Sequence, residues 1–264
     1  MKKIIIYLIA GLVVAVCGSL AACSGTTVTQ GPSVVTTTLT QITTVNSSTT
    51  LTQVTTVAQV TTLNASQTDV IGIIKKIDPS ICRVDVTGNG FTAGGTGFFV
   101  DARGYVLTNQ HVVNGAISIN VTLMDDTSSS ATVVGSDSNR DLAMLKLSTS
   151  RTDFPVLTLA SSANAVLGED VITGGFPLGT DLPGPASFNQ GILSAFRNYS
   201  GLNYLQFDAN INPGNSGSCM VNGNGDVLGI VVAGILPATI DAEAINLAIP
   251  IDEAKTFITA NVGK

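Results

Sequence analysis

"INPGNSGSCMVNG", residues 211–223, sets Ser216 directly after Asn215, with Gly214 and Gly217 on either side and Pro213 three positions back. Glycines tolerate positive φ and let backbone N–H groups converge on a substrate oxygen. Such a turn suits a serine nucleophile held up on a bend, and it equally suits one more polar residue in a Gly/Asn loop. A serine hydroxyl is a poor nucleophile until a base takes its proton and a third group orients that base. The decision therefore depends on what else the chain supplies.

It supplies one histidine, His111, in "GYVLTNQHVVNG" (104–115), just after a strand-like run. A lone histidine is by default a packing or surface residue. Asp141 opens the apolar run of "SNRDLAMLKL" (138–147). A carboxylate there is costly to bury without a partner, and His111 is a candidate partner. The alternative is a turn aspartate at the surface beside Arg140. His111, Asp141 and Ser216 fill the roles of base, orienter and nucleophile once each, in the chain order His, Asp, Ser, which differs from the α/β-hydrolase and subtilisin orders.

The surrounding texture fits an all-β fold. Between Pro79 and the last twelve residues run many short β-prone segments, among them "SICRVDV", "GTGFFV", "LAMLKL", "EDVITGGF" and "DVLGIVVAGI", punctuated by Gly, Asn, Asp and Ser. That pattern predicts a sandwich or a barrel pair. "DVIGIIKKID" before it and "IDEAKTFITANV" after it have helical spacing.

The residues before position 69 read differently. Lys2 and Lys3 precede the apolar run Ile4–Val16, a secretory leader pattern, and the run ends in Leu20-Ala21-Ala22-Cys23. This resembles the lipobox of bacterial lipoproteins, which makes 1–22 a signal peptide and Cys23 the lipidated first residue of an exported chain, anchored on the outer face of the membrane. The mature chain keeps 10 basic against 18 acidic residues, a net charge of about −8, and has no basic cluster beyond Lys75-Lys76. Nucleic-acid binding, which relies on Lys and Arg displacing counterions, is disfavoured. From Ser24 to Thr68 no residue is charged and about half are Ser or Thr, with "LTQITTVNSSTT" (39–50) repeated as "LTQVTTVAQVTT" (51–62). Apolar residues at every third position match neither a helix nor a half-buried strand. An extended tether of residues 23–68 is expected, long enough as a coil to span on the order of 35–40 Å; a self-associating Thr-rich stalk is the alternative.

"TNQHVV", "DLAMLKL", "GGFPLG", "QGILSA", "DANINPGNSG" and "GDVLGI…INLAIPI" together resemble the HtrA/DegP-like branch of the trypsin-like serine proteases over residues 69–262. The resemblance implies a chymotrypsin-like domain over 69–264, with two six-stranded antiparallel β-barrels, about 80–150 and 165–250, between short N- and C-terminal helices. It implies His111 as general base, Asp141 as its orienter, Ser216 as nucleophile, and the N–H groups of Gly214 and Ser216 as the oxyanion hole. Asn210, six residues before the nucleophile, falls at the expected floor of the substrate pocket, with Ile230, Val231 and Val232 as an apolar wall. A neutral Asn210 disfavours Arg or Lys at the cleaved position. Protein or peptide substrates follow, and a homo-oligomer, a trimer in that branch, is the matching assembly.

The chain departs from the branch in two ways. "NSGSC" stands where the branch carries "NSGGP", so Ser218 replaces a glycine and Cys219 a proline. A PDZ domain is not expected after the terminal helix. Cys82 and Cys219 are the thiols left after processing, and a disulfide between them is one expectation, two buried free thiols the other. One histidine and few acidic clusters predict no metal site and no cofactor. Outside the enzyme class, a catalytically silent binding protein on a protease fold and a surface stalk protein remain open.

Overall fold

The computed structural model describes residues 35–39, 57–61, 69–233 and 245–264. The leader (1–22), Cys23 and most of the expected tether lie outside the described residues. Within that stretch β1 (Val35–Leu39) pairs antiparallel with β2 (Val57–Thr61), Val35 opposite Thr61. Thr and Val carry the β-propensity that makes these two segments strands.

The remaining unit opens with α1 (Val70–Ile77). Asp69 caps it by accepting the Gly72 N–H at 2.9 Å, and Lys75 and Lys76 lie in its last turn, favourable against the helix dipole. Pro79 ends it, with a short 3₁₀ turn over Asp78–Ser80. Six strands follow: β3 (Ile81–Gly88), β4 (Thr92–Asp101), β5 (Tyr105–Thr108), β6 (Ala116–Thr122), β7 (Ser128–Asp137) and β8 (Leu142–Leu147). They close into a barrel in the order β3-β4-β5-β8-β7-β6. Six more, β9 (Asp170–Gly175), β10 (Ser187–Tyr199), β11 (Leu202–Phe207), β12 (Cys219–Val221), β13 (Val227–Val232) and β14 (Asn246–Pro250), close a second barrel in the order β10-β11-β14-β13-β12-β9. Read from the first strand of each barrel, the two orders are the same. All the barrel pairings are antiparallel, as the chymotrypsin-like expectation requires. The terminal helix, α3 (Ile251–Asn261), buries Ile251, Ala254, Phe257 and Ile258 on one face.

The core has three parts. Cys82, Val84, Phe99, Val106 and Leu145 fill the first barrel, and Val171, Leu193, Phe207, Met220 and Val231 fill the second. A third layer draws on both barrels and both helices: Ile77, Ile81, Phe98, Leu107, Met144, Ile172, Cys219, Ile230, Ile249 and Phe257. Neighbouring residues such as Phe98 and Phe99, or Ile230 and Val231, thus point to opposite sides of one strand, as the two-residue period demands. Strands buried on both faces read as unbroken apolar runs rather than alternating ones.

This layering corrects the expected disulfide. Cys82 and Cys219 are both free and fully buried. Cys82 points into the first barrel, while Cys219 points into the layer between the barrels, so the two thiols belong to different cores.

Candidate active site

His111 rides on α2 (Gln110–Val113), a single helical turn between β5 and β6. Asp141 stands immediately before β8 with φ of +56°, a left-handed conformation that Asp tolerates better than most residues. Its carboxylate holds the histidine twice. Oδ1 accepts the His111 backbone N–H at 2.8 Å, and Oδ2 lies 2.7 Å from His111 Nδ1. Because a carboxylate only accepts, Nδ1 carries the proton in the neutral imidazole, which leaves Nε2 free to accept one. The buried Asn109 donates Nδ2–H to the Asp141 carbonyl at 3.0 Å and fixes the backbone turn. Arg140 faces away, pairing with Asp137 at 2.8 Å and donating to the Glu253 carbonyl at 2.9 Å. The carboxylate of Asp141 is therefore committed to the histidine and not to its basic neighbour. Burial, reinforced by the charge of Asp141, pushes the Tyr204 phenol above the usual tyrosine range.

Ser216 lies on the loop between β11 and β12 and is almost fully buried. Its carbonyl accepts the Thr96 N–H from β4 at 2.8 Å, and Gly217 abuts Asn109, with the position of a Cβ on Gly217 3.2 Å from the Asn109 nitrogen. The turn is thus pressed between β4 and the start of α2, two residues from His111. Its hydroxyl accepts the Ala233 N–H at 3.2 Å, and no hydrogen bond joins it to His111 among the described residues.

The turn is built on two left-handed glycines, Gly214 at φ +98° and Gly217 at +86°. A Cβ on Gly214 would collide with the Phe176 carbonyl and come within 2.8 Å of the Leu178 nitrogen. Neither the Gly214 nor the Ser216 N–H has an acceptor among the described hydrogen bonds, so both are available to a substrate oxygen. Ser218, where the branch has a glycine, is not among the positive-φ residues. Its side chain therefore costs no backbone strain, although its buried hydroxyl has no partner among the described residues.

The apolar pocket wall needs correction. Ile230 and Val231 have zero exposure, and their side chains enter two different cores. Val232 is also buried, on the same side as Ile230. A strand covered on both faces has no side chain left for a substrate. Asn210 is exposed. Residues 234–244, which follow β13, lie outside the described residues.

Comparison with known proteins bears on this arrangement. A trypsin-like peptidase domain matches residues 95–230, just over half of the chain, from within β4 to within β13.

The chain belongs to the trypsin-like peptidase family.

Within that family it is similar to HtrA-type proteins. The putative serine protease HhoA of Synechocystis is 38% identical over 171 residues, covering 62% of this chain and 41% of HhoA. The serine protease Do-like HtrA of Bacillus subtilis is 38% identical over 164 residues, covering 59% of this chain and 35% of that protein. Among solved structures, the HtrA-type protease AlgW with a tripeptide superposes with a TM-score of 0.66 at 32% identity, over 73% of this chain and 63% of AlgW. The chain thus spans about two fifths or less of the length of these curated relatives.

Thr96 and Asn109 escaped the sequence reading. Thr96 sits inside an apparently featureless "GGTGFF", and Asn109 looks like one more polar residue before a helix. The one available signal was their position within two residues of glycines or the lone histidine.

Proposed function

We propose that the chain is a serine endopeptidase that cleaves unfolded or damaged proteins by an acyl-enzyme route. His111 Nε2 takes the Ser216 proton, Ser216 Oγ attacks the peptide carbonyl, and the Gly214 and Ser216 N–H groups receive the developing oxyanion. Asp141 holds the imidazole in the required tautomer and stabilises it once protonated. The imidazolium then gives its proton to the leaving amine, and water repeats the sequence to release the acyl group. The observation that carries this reading is the two-point grip of Asp141 on His111 beside a serine turn with two unengaged N–H groups. The leader pattern, and relatives named as periplasmic proteases, support an exported enzyme held at the membrane by a lipid on Cys23.

A second reading draws on the Ser216–Ala233 hydrogen bond: a protease fold whose serine is parked and which binds proteins without cutting them. Hydrolysis of labelled casein by the processed chain separates the two. The enzyme reading expects turnover that Ser216→Ala abolishes; equal rates, or none from either, would leave the binding reading.

A further inference from the structure

We propose that Thr96 is a positioning residue for the oxyanion site, its hydroxyl locking the central peptide of the nucleophile turn. The inference rests on the protease reading of Ser216 and goes beyond it to a residue on the other barrel.

Three consecutive peptides carry the turn, and each has its carbonyl held by a separate donor. Pro213 O accepts the Leu178 N–H at 2.6 Å, Gly214 O accepts the Thr96 hydroxyl at 2.8 Å, and Asn215 O accepts the Ser218 N–H at 3.0 Å. In a planar trans peptide the N–H points opposite to the C=O. Fixing the first and third carbonyls therefore aims the Gly214 and Ser216 N–H groups, the two without an acceptor. The central peptide decides whether they converge. Its N–H donates to Asn212 O at 3.0 Å, and among the described residues its carbonyl is held only by Thr96.

Thr96 is suited to the task. It is fully buried, and its hydroxyl is doubly committed, donating to Gly214 O and accepting the Phe176 N–H at 3.0 Å. Its own N–H holds the Ser216 carbonyl. One β4 residue thus ties the first barrel to both sides of the turn, and through Phe176 to the segment against which Gly214 packs. Without the hydroxyl, the Gly214 carbonyl and the Phe176 N–H lose their buried partner, and the central peptide is free to rotate.

The test uses the processed chain with labelled casein, and in parallel the rate of Ser216 labelling by a fluorophosphonate, which needs the nucleophile and the oxyanion site but no side-chain pocket. Thr96→Val removes the hydroxyl at constant shape; Thr96→Ser restores it. We expect Thr96→Val to lower kcat and the labelling rate together by about 10- to 100-fold, less than the roughly 10²–10³ of losing a donor outright, with KM nearly unchanged. Thr96→Ser should return both rates to within about threefold of the parent. Labelling of Thr96→Val at the parent rate, or a folded Thr96→Ser as slow as Thr96→Val, overturns the inference while leaving the protease reading intact. A parent chain that neither cleaves nor labels overturns both. Circular dichroism checks the fold of each variant, and Thr96→Ala replaces Thr96→Val if the latter does not fold.

Discussion

Ser216 Oγ accepts the Ala233 N–H at 3.2 Å, and that contact uses a lone pair, not the hydroxyl proton. The proton stays available to a base. On the proposed mechanism His111 and Ser216 act as a unit, and their loss should not be additive. Ser216→Ala and His111→Ala are each expected to lower kcat on casein by on the order of 10⁵–10⁶-fold, and the double variant by no more than either alone. Asp141→Asn, which keeps an acceptor but loses the carboxylate, should cost about 10⁴-fold. Rate losses that multiply in the double variant would show that the two residues work separately.

Gly214 is confined by space as well as by φ. A methyl group there meets the Phe176 carbonyl and the Leu178 nitrogen, both backbone atoms that cannot turn aside. Gly214→Ala should therefore displace the turn, lowering stability by roughly 2 kcal/mol or more and removing activity with it. Ser218→Ala makes the contrasting case. It deletes a buried hydroxyl that has no partner among the described residues, outside the positive-φ region, and should be neutral or stabilising by up to about 1 kcal/mol while activity persists. Urea unfolding and casein turnover on both variants check the pair.

What was legible in the sequence follows from range. Leu142–Leu147 and Val227–Val232 read as strands because β-branched and aliphatic runs between turn residues are local signals. His111 was legible because no other histidine competes with it. The four residues of α2 were too short to show a helical period, and the three of β12 hid beside the serine loop. Thr96 was invisible for a different reason: its hydroxyl partner lies 118 residues away. The pocket wall failed because an apolar run announces burial without saying against what, and Ile230 and Val231 are spent on two cores.

Those cores also decide the thiols. Burial pushes the Cys219 thiol up to about 12, and Cys82, equally buried, is raised as well. Neither is a thiolate near neutral pH, and neither is accessible. Iodoacetamide should leave both unmodified in the native protein and modify both in denaturant without reductant, read peptide by peptide in a mass spectrometer. Modification in denaturant that required reductant would reveal a bridge.

Asp252, at the start of α3, is one carboxylate through which acid should weaken the fold. Its carboxyl is held well below the usual carboxylate range, first by Lys255, whose Nζ is 2.6 Å from Oδ1, and then by Ser162, the Ala163 N–H and Ser161, all on the segment between the barrels. A depressed pKa means that the unfolded chain binds the proton first as pH falls. The stabilisation is thus complete above the unfolded value of about 3.9 and drains away below it. Asp252→Asn removes the charge at every pH. At pH about 7 it should melt earlier than the parent, by the equivalent of roughly 1 kcal/mol for a partly exposed ion pair with its hydrogen bonds. As pH drops from about 4 toward 2, the parent's melting temperature should fall toward that of the variant, because the parent loses what the variant never had. Asp101 and Asp137, also held low by Arg103 and by the Arg140 N–H, remain in both proteins and cancel from the difference. A gap between the two melting temperatures that stayed constant through this range would show that Asp252 acts through shape and not through charge.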